Sequence, residues 1–273
     1  MQIHETAFIT SMYRSYHEDI SKDLYAKLWN NPKTNSLIPS ILKNVSKDEA
    51  ILHSLRNRFF YERVKSFFDK NDGGTFINFG SGFSMYQFQI NKNVTTIEID
   101  KKDIINYKKE KIDKWITQGK LPFRKILYTS IDFNILTERE IIKILLPLLQ
   151  NKPTFILIEG VLFFLNRDTT NKLFRIFRRI QSPGDLVGSV SYLPEIETTE
   201  VYQRLLRYFN ANNDVGDSFN HQTIPTSYYQ NTEGYLLKEH IDEFQLSQIY
   251  TSNSAITSKS SILNENMYLL EMT

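Results

Sequence analysis

The chain has 273 residues, 41% of them hydrophobic and 23% charged, and its 33 basic and 31 acidic side chains leave a formal charge of +2. That balance argues against nucleic acid or an anionic membrane as the main partner. The absence of cysteine removes disulfides, thiolate metal sites and a cysteine nucleophile. A chain of this length buries a large core, as one large domain or as a domain with a cap. The N-terminal stretch carries scattered charges, unlike a secretory signal. The apolar run 155–165 is too short to span a bilayer and holds Glu159 in its middle. A cytoplasmic protein, monomeric or homodimeric and without a metal site, is expected.

The first 70 residues predict helices. Ser21 is placed as the N-cap of a helix to Trp29, with Leu24, Tyr25 and Leu28 on one face. Pro32 and Pro39 break the next stretch. Ser46 and Glu49 match a capping box that opens a long helix, in which Leu52, Leu55, Phe59, Val64 and Phe67 recur at helical spacing. The Asn-Asp-Gly-Gly sequence at 71–74 ends it.

The texture then changes. Short apolar runs at 75–79, 94–99, 125–129, 154–158 and 186–190 read as strands, and 101–117, 138–149 and 169–180 as helices between them. This alternation predicts an α/β fold, a mostly parallel central sheet with helices on both faces. Right-handed crossovers bring the C-terminal strand ends to one edge, where ligands bind. Residues 194–210 look helical, 211–232 are rich in polar residues, and 244–250 with 266–270 read as a closing antiparallel pair. The expected division is a helical N-terminal cap (1–72), a Rossmann-like core (73–193), a lid insertion (194–235) and C-terminal strands that complete the sheet (236–273).

Four strand ends carry a glycine or a carboxylate. Gly80 and Gly82 let the backbone turn tightly and let a ligand approach it, with a helix N-terminus expected behind them. A dinucleotide fingerprint needs a third glycine where Met85 stands, which argues against NAD and a dehydrogenase. Glu98 and Asp100 end the second strand, where a carboxylate can accept hydrogen bonds from ribose hydroxyls or simply face water. Asp132 and Phe133 follow the third strand, placed to flank a base, although an Asp there also suits a helix cap. Glu159 ends an apolar strand, where a carboxylate is costly to bury unless paired.

An arginine-bearing N-terminal helix, G-x-G, E-x-D, D-F and E-G-V in this order resemble the leucine carboxyl methyltransferase family of class I methyltransferases. The resemblance runs from about Tyr13 through the fifth strand, and is nearer the bacterial members that methylate small molecules. It implies a Rossmann-like fold and S-adenosylmethionine as cofactor, with S-adenosylhomocysteine as product. By the same resemblance Arg56 clamps the cofactor's carboxylate, with Arg14 near it. Gly80 and Gly82 turn beneath the methionine portion, Asp100 and Glu98 hold the ribose, Asp132 and Phe133 flank the adenine, and Glu159 faces the amino group. The family continues its glycine motif with Asp-Thr-Arg and a further Arg. Here Phe83-Ser84-Met85-Tyr86 follows, and Gln89 stands for the later Arg.

For substrate, a carboxylate acceptor is already ionised and needs no base, whereas a hydroxyl needs one, for which His221, His240 and Tyr192 are candidates. Tyr192, Tyr202 and Tyr228, with Tyr208, Phe209, Phe219 and Tyr229, form either a lid over an aromatic or carboxylate-bearing small molecule or the core of the cap. The expected activity is methylation of a small-molecule oxygen. The alternatives are carboxyl methylation of a protein C-terminus and a non-catalytic scaffold on the same fold.

Overall fold

The computed structural model describes residues 3–133, 135–149, 151–212, 221–251 and 256–273. Four helices come first: α1 (Ile3–Tyr16), α2 (Glu18–Ser21), α3 (Pro32–Asn44) and the 22-residue α4 (Glu49–Lys70). The alternating part follows as β1 (Gly74–Phe79), β2 (Val94–Asp100), α5 (Lys102–Thr117), β3 (Ile126–Ser130), α6 (Glu138–Leu149), β4 (Thr154–Ile158), α7 (Arg167–Ile180) and β5 (Leu186–Ser191). Next come α8 (Glu200–Ala211), α9 (Thr226–Gln230), β6 (Tyr235–Asp242), α10 (Glu243–Tyr250) and β7 (Asn266–Met272).

One sheet runs in the order β3-β2-β1-β4-β5-β7-β6. The first five strands are parallel, and β7 lies antiparallel to both β5 and β6. Every residue of β1 and β4 is buried, as central parallel strands covered on both faces should be. Phe76, Phe155 and Leu157 pack with α1, α4 and α8 on one side. Ile77, Ile97, Ile156 and Ile158 pack with α6 and α7 on the other. The apolar stripe of α7 (Leu173, Ile176, Phe177, Ile180) is buried as its spacing predicts, and Asn166 caps its start by accepting from the Thr169 N–H. The chain leaves β1 toward β2 and later returns to β4 on its other side. This switch point opens a crevice at the C-terminal ends of β1, β2 and β4.

Several local expectations are corrected. Ser21 ends a short helix instead of capping a long one. Lys22 follows it at φ 56°, and the Ser21 hydroxyl donates to the Arg14 carbonyl. Leu24 is exposed, while Ala26–Trp29 is only a single 3-10 turn. Pro32 opens α3 at its first turn, where a missing N–H costs nothing, and Asn31 caps it. Pro39 lies inside the same helix, and both it and Asn35, whose carbonyl it leaves without a helical donor, are exposed to water. The capping box at Ser46 does not form: α4 begins after Asp48 with no side-chain cap, and Glu49 is buried. Residues 244–250 belong to helix α10, opened by a capping box of Asp242 and Gln245. The partner of β7 is β6, whose alternating exposure marks a strand at the sheet edge.

Candidate cofactor and substrate site

The turn after β1 is built for close packing. Gly80 has φ 68°, and a Cβ there would stand 2.0 Å from Cγ2 of Val161, in the turn after β4. Its N–H and that of Ser81 both donate to the Ile99 carbonyl at the end of β2. Gly82 has φ 42°, and a Cβ would meet Ala7 of α1 at 3.4 Å. No α-helix follows. Residues 86–88 make one 3-10 turn, so the expected helix N-terminus behind the glycines is absent and the departure from Asp-Thr-Arg coincides with a change of structure.

Asp100 closes the turn from the second strand. One carboxylate oxygen accepts the Gly82 N–H and the other its neighbour's N–H at Lys101, each at 2.8 Å. Burial pushes its pKa up, opposed by those two N–H groups and by Lys108. The side chain is half-buried at the sheet edge, where a ribose hydroxyl can reach it. Glu98 is placed differently. It is fully buried beneath the turn and spends its charge on Lys108 Nζ at 2.5 Å and on the Asn78 amide at 3.1 Å. Lys108 also donates to the Ser81 carbonyl, and Asn78 to the Ser84 hydroxyl. Glu98 therefore supports the glycine turn from below, and its expected share in holding ribose is not available to it. Lys108 was legible: it shares one helical stripe with the buried Ile105, Ile112 and Trp115.

Arg56 and Glu159, separated by over a hundred residues, meet directly. Arg56 Nε donates to Glu159 Oε1 at 2.8 Å, and Nη1 to Glu265 Oε2 at 2.6 Å. Tyr86 donates its hydroxyl to Glu159 Oε2 at 2.7 Å. Burial alone would raise the Glu159 pKa, but Arg56, Arg14 and the Tyr86 hydroxyl together hold it below the usual carboxylate range. Arg14 is itself buried, paired with Asp23 at 2.9 Å and donating to the Phe83 carbonyl. Both arginines are therefore fixed beside the crevice rather than on a solvated helix face. Asp132 is exposed at the end of β3, while Phe133 stacks on Phe79 with ring centroids 4.7 Å apart. Asp132 does not cap the next helix, since Thr137 and Glu140 do so between themselves.

The aromatic residues of the cap divide. Tyr192 and Tyr202 are buried together, 5.8 Å apart, with Tyr192 also 4.6 Å from Phe163. The Tyr202 hydroxyl donates to the His221 carbonyl, which makes it core of the cap. Tyr228 lies elsewhere, on α9 against Phe174 and beneath the Arg167 guanidinium, in the layer of α7. It does not share a wall with Tyr192. Phe219 lies outside the described residues. His221 is enclosed by Phe163 and Tyr192, and burial drives its pKa to about 3, so it is unsuited to accept a proton near neutrality. His240 sits on the edge strand β6, stacked on Tyr268 and bonded to Asn266. Burial, then Glu265, Glu49 and Glu243, push the Tyr192 hydroxyl well above its ordinary pKa.

Those three glutamates were missed. Glu49 shares its helical stripe with Leu52, Arg56 and Phe59, a signal the capping-box pattern obscured. Glu243 and Glu265 have no sequence signal, because α10 and the residue before β7 are brought to α4 only by the fold.

The residues at the crevice suit S-adenosylmethionine. Asp100 can take ribose hydroxyls, Glu159 an ammonium, and Arg56 a carboxylate on the side of its guanidinium nearest Gly160. Sheet order, glycine turn and carboxylates define the fold of class I S-adenosylmethionine-dependent methyltransferases. The sequence profile of the family described as leucine carboxyl methyltransferase matches residues 16–178, more than half of the chain, and the chain belongs to that family. No curated protein matches it in sequence. Among solved structures it is similar to a duf574 family protein from Streptomyces avermitilis (10% identity, 98% of this chain and 97% of that one, TM-score 0.66). It is also similar to magnesium protoporphyrin IX methyltransferase from Synechocystis with bound S-adenosylhomocysteine (8% identity, 96% and 99%, TM-score 0.54). Among the described residues no helix is long and apolar enough to cross a membrane.

Proposed function

We propose that the protein transfers the methyl group of S-adenosylmethionine to an oxygen, carboxylate or hydroxyl, of a small molecule. The observation that supports the reading best is the junction of Arg56, Glu159 and Tyr86 beside the Gly80–Gly82 turn and Asp100. It joins a guanidinium, a carboxylate of lowered pKa and a ribose acceptor at the switch point of the sheet. Bound there, the cofactor would supply an electrophilic methyl on a sulfonium, which leaves as a neutral thioether once a carboxylate or an already deprotonated hydroxyl oxygen takes the methyl. The chain's own contribution is to bind and align, a proximity effect. Arg56 and Glu159 fix the methionine end and Asp100 the ribose. The buried cap residues Tyr192, Tyr202 and Phe163 exclude water from the acceptor side. A carboxylate acceptor needs no base, which fits a site where His221 stays neutral. A buried aromatic cap favours a small molecule over a protein C-terminus, which would need an open groove.

The test begins with calorimetric titration of S-adenosylmethionine and S-adenosylhomocysteine. Micromolar binding (about −8 kcal/mol) is expected, and no binding would leave the scaffold reading. Transfer of a tritiated methyl group to a small-molecule extract then reports the acceptor. Radioactivity released as methanol by alkali marks a carboxylate ester, alkali-stable product of phenolic character an ether. Label found only on nitrogen would overturn the oxygen assignment.

A further inference from the structure

We infer that the acceptor molecule carries a positively charged amine or guanidine group, received by the carboxylates of Glu49 and Glu243 beside Arg56, at the methionine end of the site. The inference deepens the methyltransferase reading and rests on it. Glu49 on the first turn of α4, Glu243 on the first turn of α10 and Glu265 just before β7 are 7%, 1% and 3% exposed. Glu265 is used, bonded to Arg56, and one oxygen of Glu243 accepts the Glu265 N–H. The other oxygen of Glu243 and Oε1 of Glu49 are buried without a hydrogen-bond partner among the described residues, as are the Tyr13 hydroxyl and Nδ1 of His53. A buried acceptor left unmade costs its full desolvation, more when it is charged.

Charge points the same way. Glu49, Glu159, Glu243 and Glu265 share Arg56, with Arg14 reaching Glu159 and Asp48 adding a further negative charge beside Glu49, and the cofactor's own carboxylate would occupy Arg56. His53, whose Nε2 is 3.8 Å from Glu49, does not restore the balance: burial, then Arg56 and Arg14, push its pKa well down and keep it neutral. The carboxylates feel one another. Burial first and then Glu265 raise the Glu49 pKa to about 8, and Glu243 rises for the same two reasons. No group of three His, Asp or Glu among the described residues is placed to hold a metal ion. Where these carboxylates are ionised, the complement is an organic cation, whose several N–H donors can reach oxygens on separate elements. A purely anionic acceptor would then be repelled. An acceptor with both an oxygen nucleophile and a cationic group satisfies the crevice and the cluster together.

The test is calorimetric titration of the full chain saturated with S-adenosylhomocysteine, using tyramine, 4-ethylphenol and 3-(4-hydroxyphenyl)propanoate. These share one phenol and differ in charge. Tyramine is expected to bind about tenfold tighter than 4-ethylphenol, the scale of one charge-assisted hydrogen bond, and the propanoate more weakly than either. Glu243→Gln and Glu49→Gln should each erase most of that preference while S-adenosylhomocysteine still binds and the circular dichroism spectrum stays as in the wild type. A measurement on the unaltered chain stands beside the variants: the tyramine preference should grow from pH 6 to pH 8.5 as the carboxylates ionise. No binding by tyramine, equal binding by all three, or preference for the propanoate overturns the inference. Failure of S-adenosylhomocysteine itself to bind would instead fell the methyltransferase reading.

Discussion

Two buried acidic groups lie on either side of the crevice, and they are built on opposite rules. Beneath the glycine turn Glu98 meets Lys108 one to one, with the Asn78 amide and the Ser81 carbonyl taking up the remaining contacts. Under the cap, Glu49, Glu243 and Glu265 gather round Arg56, which already serves Glu159, and two carboxylate oxygens are left over. Both regions exclude water to a similar degree. Burial therefore does not distinguish the two groups. Charge balance does: the first set closes on itself and holds a turn, while the second lacks a cation that only a ligand or a proton can bring.

Breaking the closed side should give the largest effect. Lys108→Met leaves Glu98 buried with a neutral amide alone and should cost about 3–5 kcal/mol, read by urea denaturation at pH 7. A loss below about 1 kcal/mol would show that the pair is dispensable and the contrast mistaken. At the mouth of the crevice, Asp100→Ala should weaken S-adenosylhomocysteine binding about tenfold to a hundredfold, roughly 1.4–2.8 kcal/mol. Unchanged affinity would move the ribose site away from β2.

The open side should show itself in pH. The folded-state pKa of Glu49 is raised to about 8 from 4.5, by burial first and then by Glu265, against the Ser46 hydroxyl and the Arg56 charge. Between those two values the folded protein binds more protons than the unfolded chain, so this group's contribution falls as pH rises. The slope is at most about 1.4 kcal/mol per pH unit. Thermal unfolding of the unliganded protein should weaken from pH 6 to pH 8, and Glu49→Gln should flatten the profile. A profile identical in variant and wild type would place the proton elsewhere, on Glu243 or Glu265. The smallest effect belongs to a pair outside both regions. Arg207→Ala breaks the exposed bridge to Glu200 and should change stability by less than about 0.5 kcal/mol, a baseline for the other three.

Much of the frame was legible in the order of residues. Helix α6 and strand β4 fall where the sequence places them, because an amphipathic helix repeats with period 3.6 and a strand buried on both faces is a short continuous apolar run, both local patterns. The carboxylates and glycines at the strand ends were legible too, since a parallel sheet puts those ends on one edge. Local patterns misled where two motifs competed for the same residues. Ser46 and Glu49 satisfy a capping box on paper, yet Glu49 also sits on the buried stripe of α4, and packing prevailed. Residues 244–250 are apolar enough for a strand, but the Asp242–Gln245 cap starts a helix there.

The amino-acid sequence by itself determined the alternating layers, the position of the crevice and the family, because periodicity and motif order are properties of neighbours along the chain. The tertiary structure alone decided which acids are paired within the fold and which are left open at the crevice. Glu98 and Asp100 differ by two positions, yet one meets Lys108 below the sheet edge and the other faces the crevice. Glu49, Glu243 and Glu265 are scattered over more than two hundred residues, and whether a carboxylate is balanced depends on partners that only folding brings within reach.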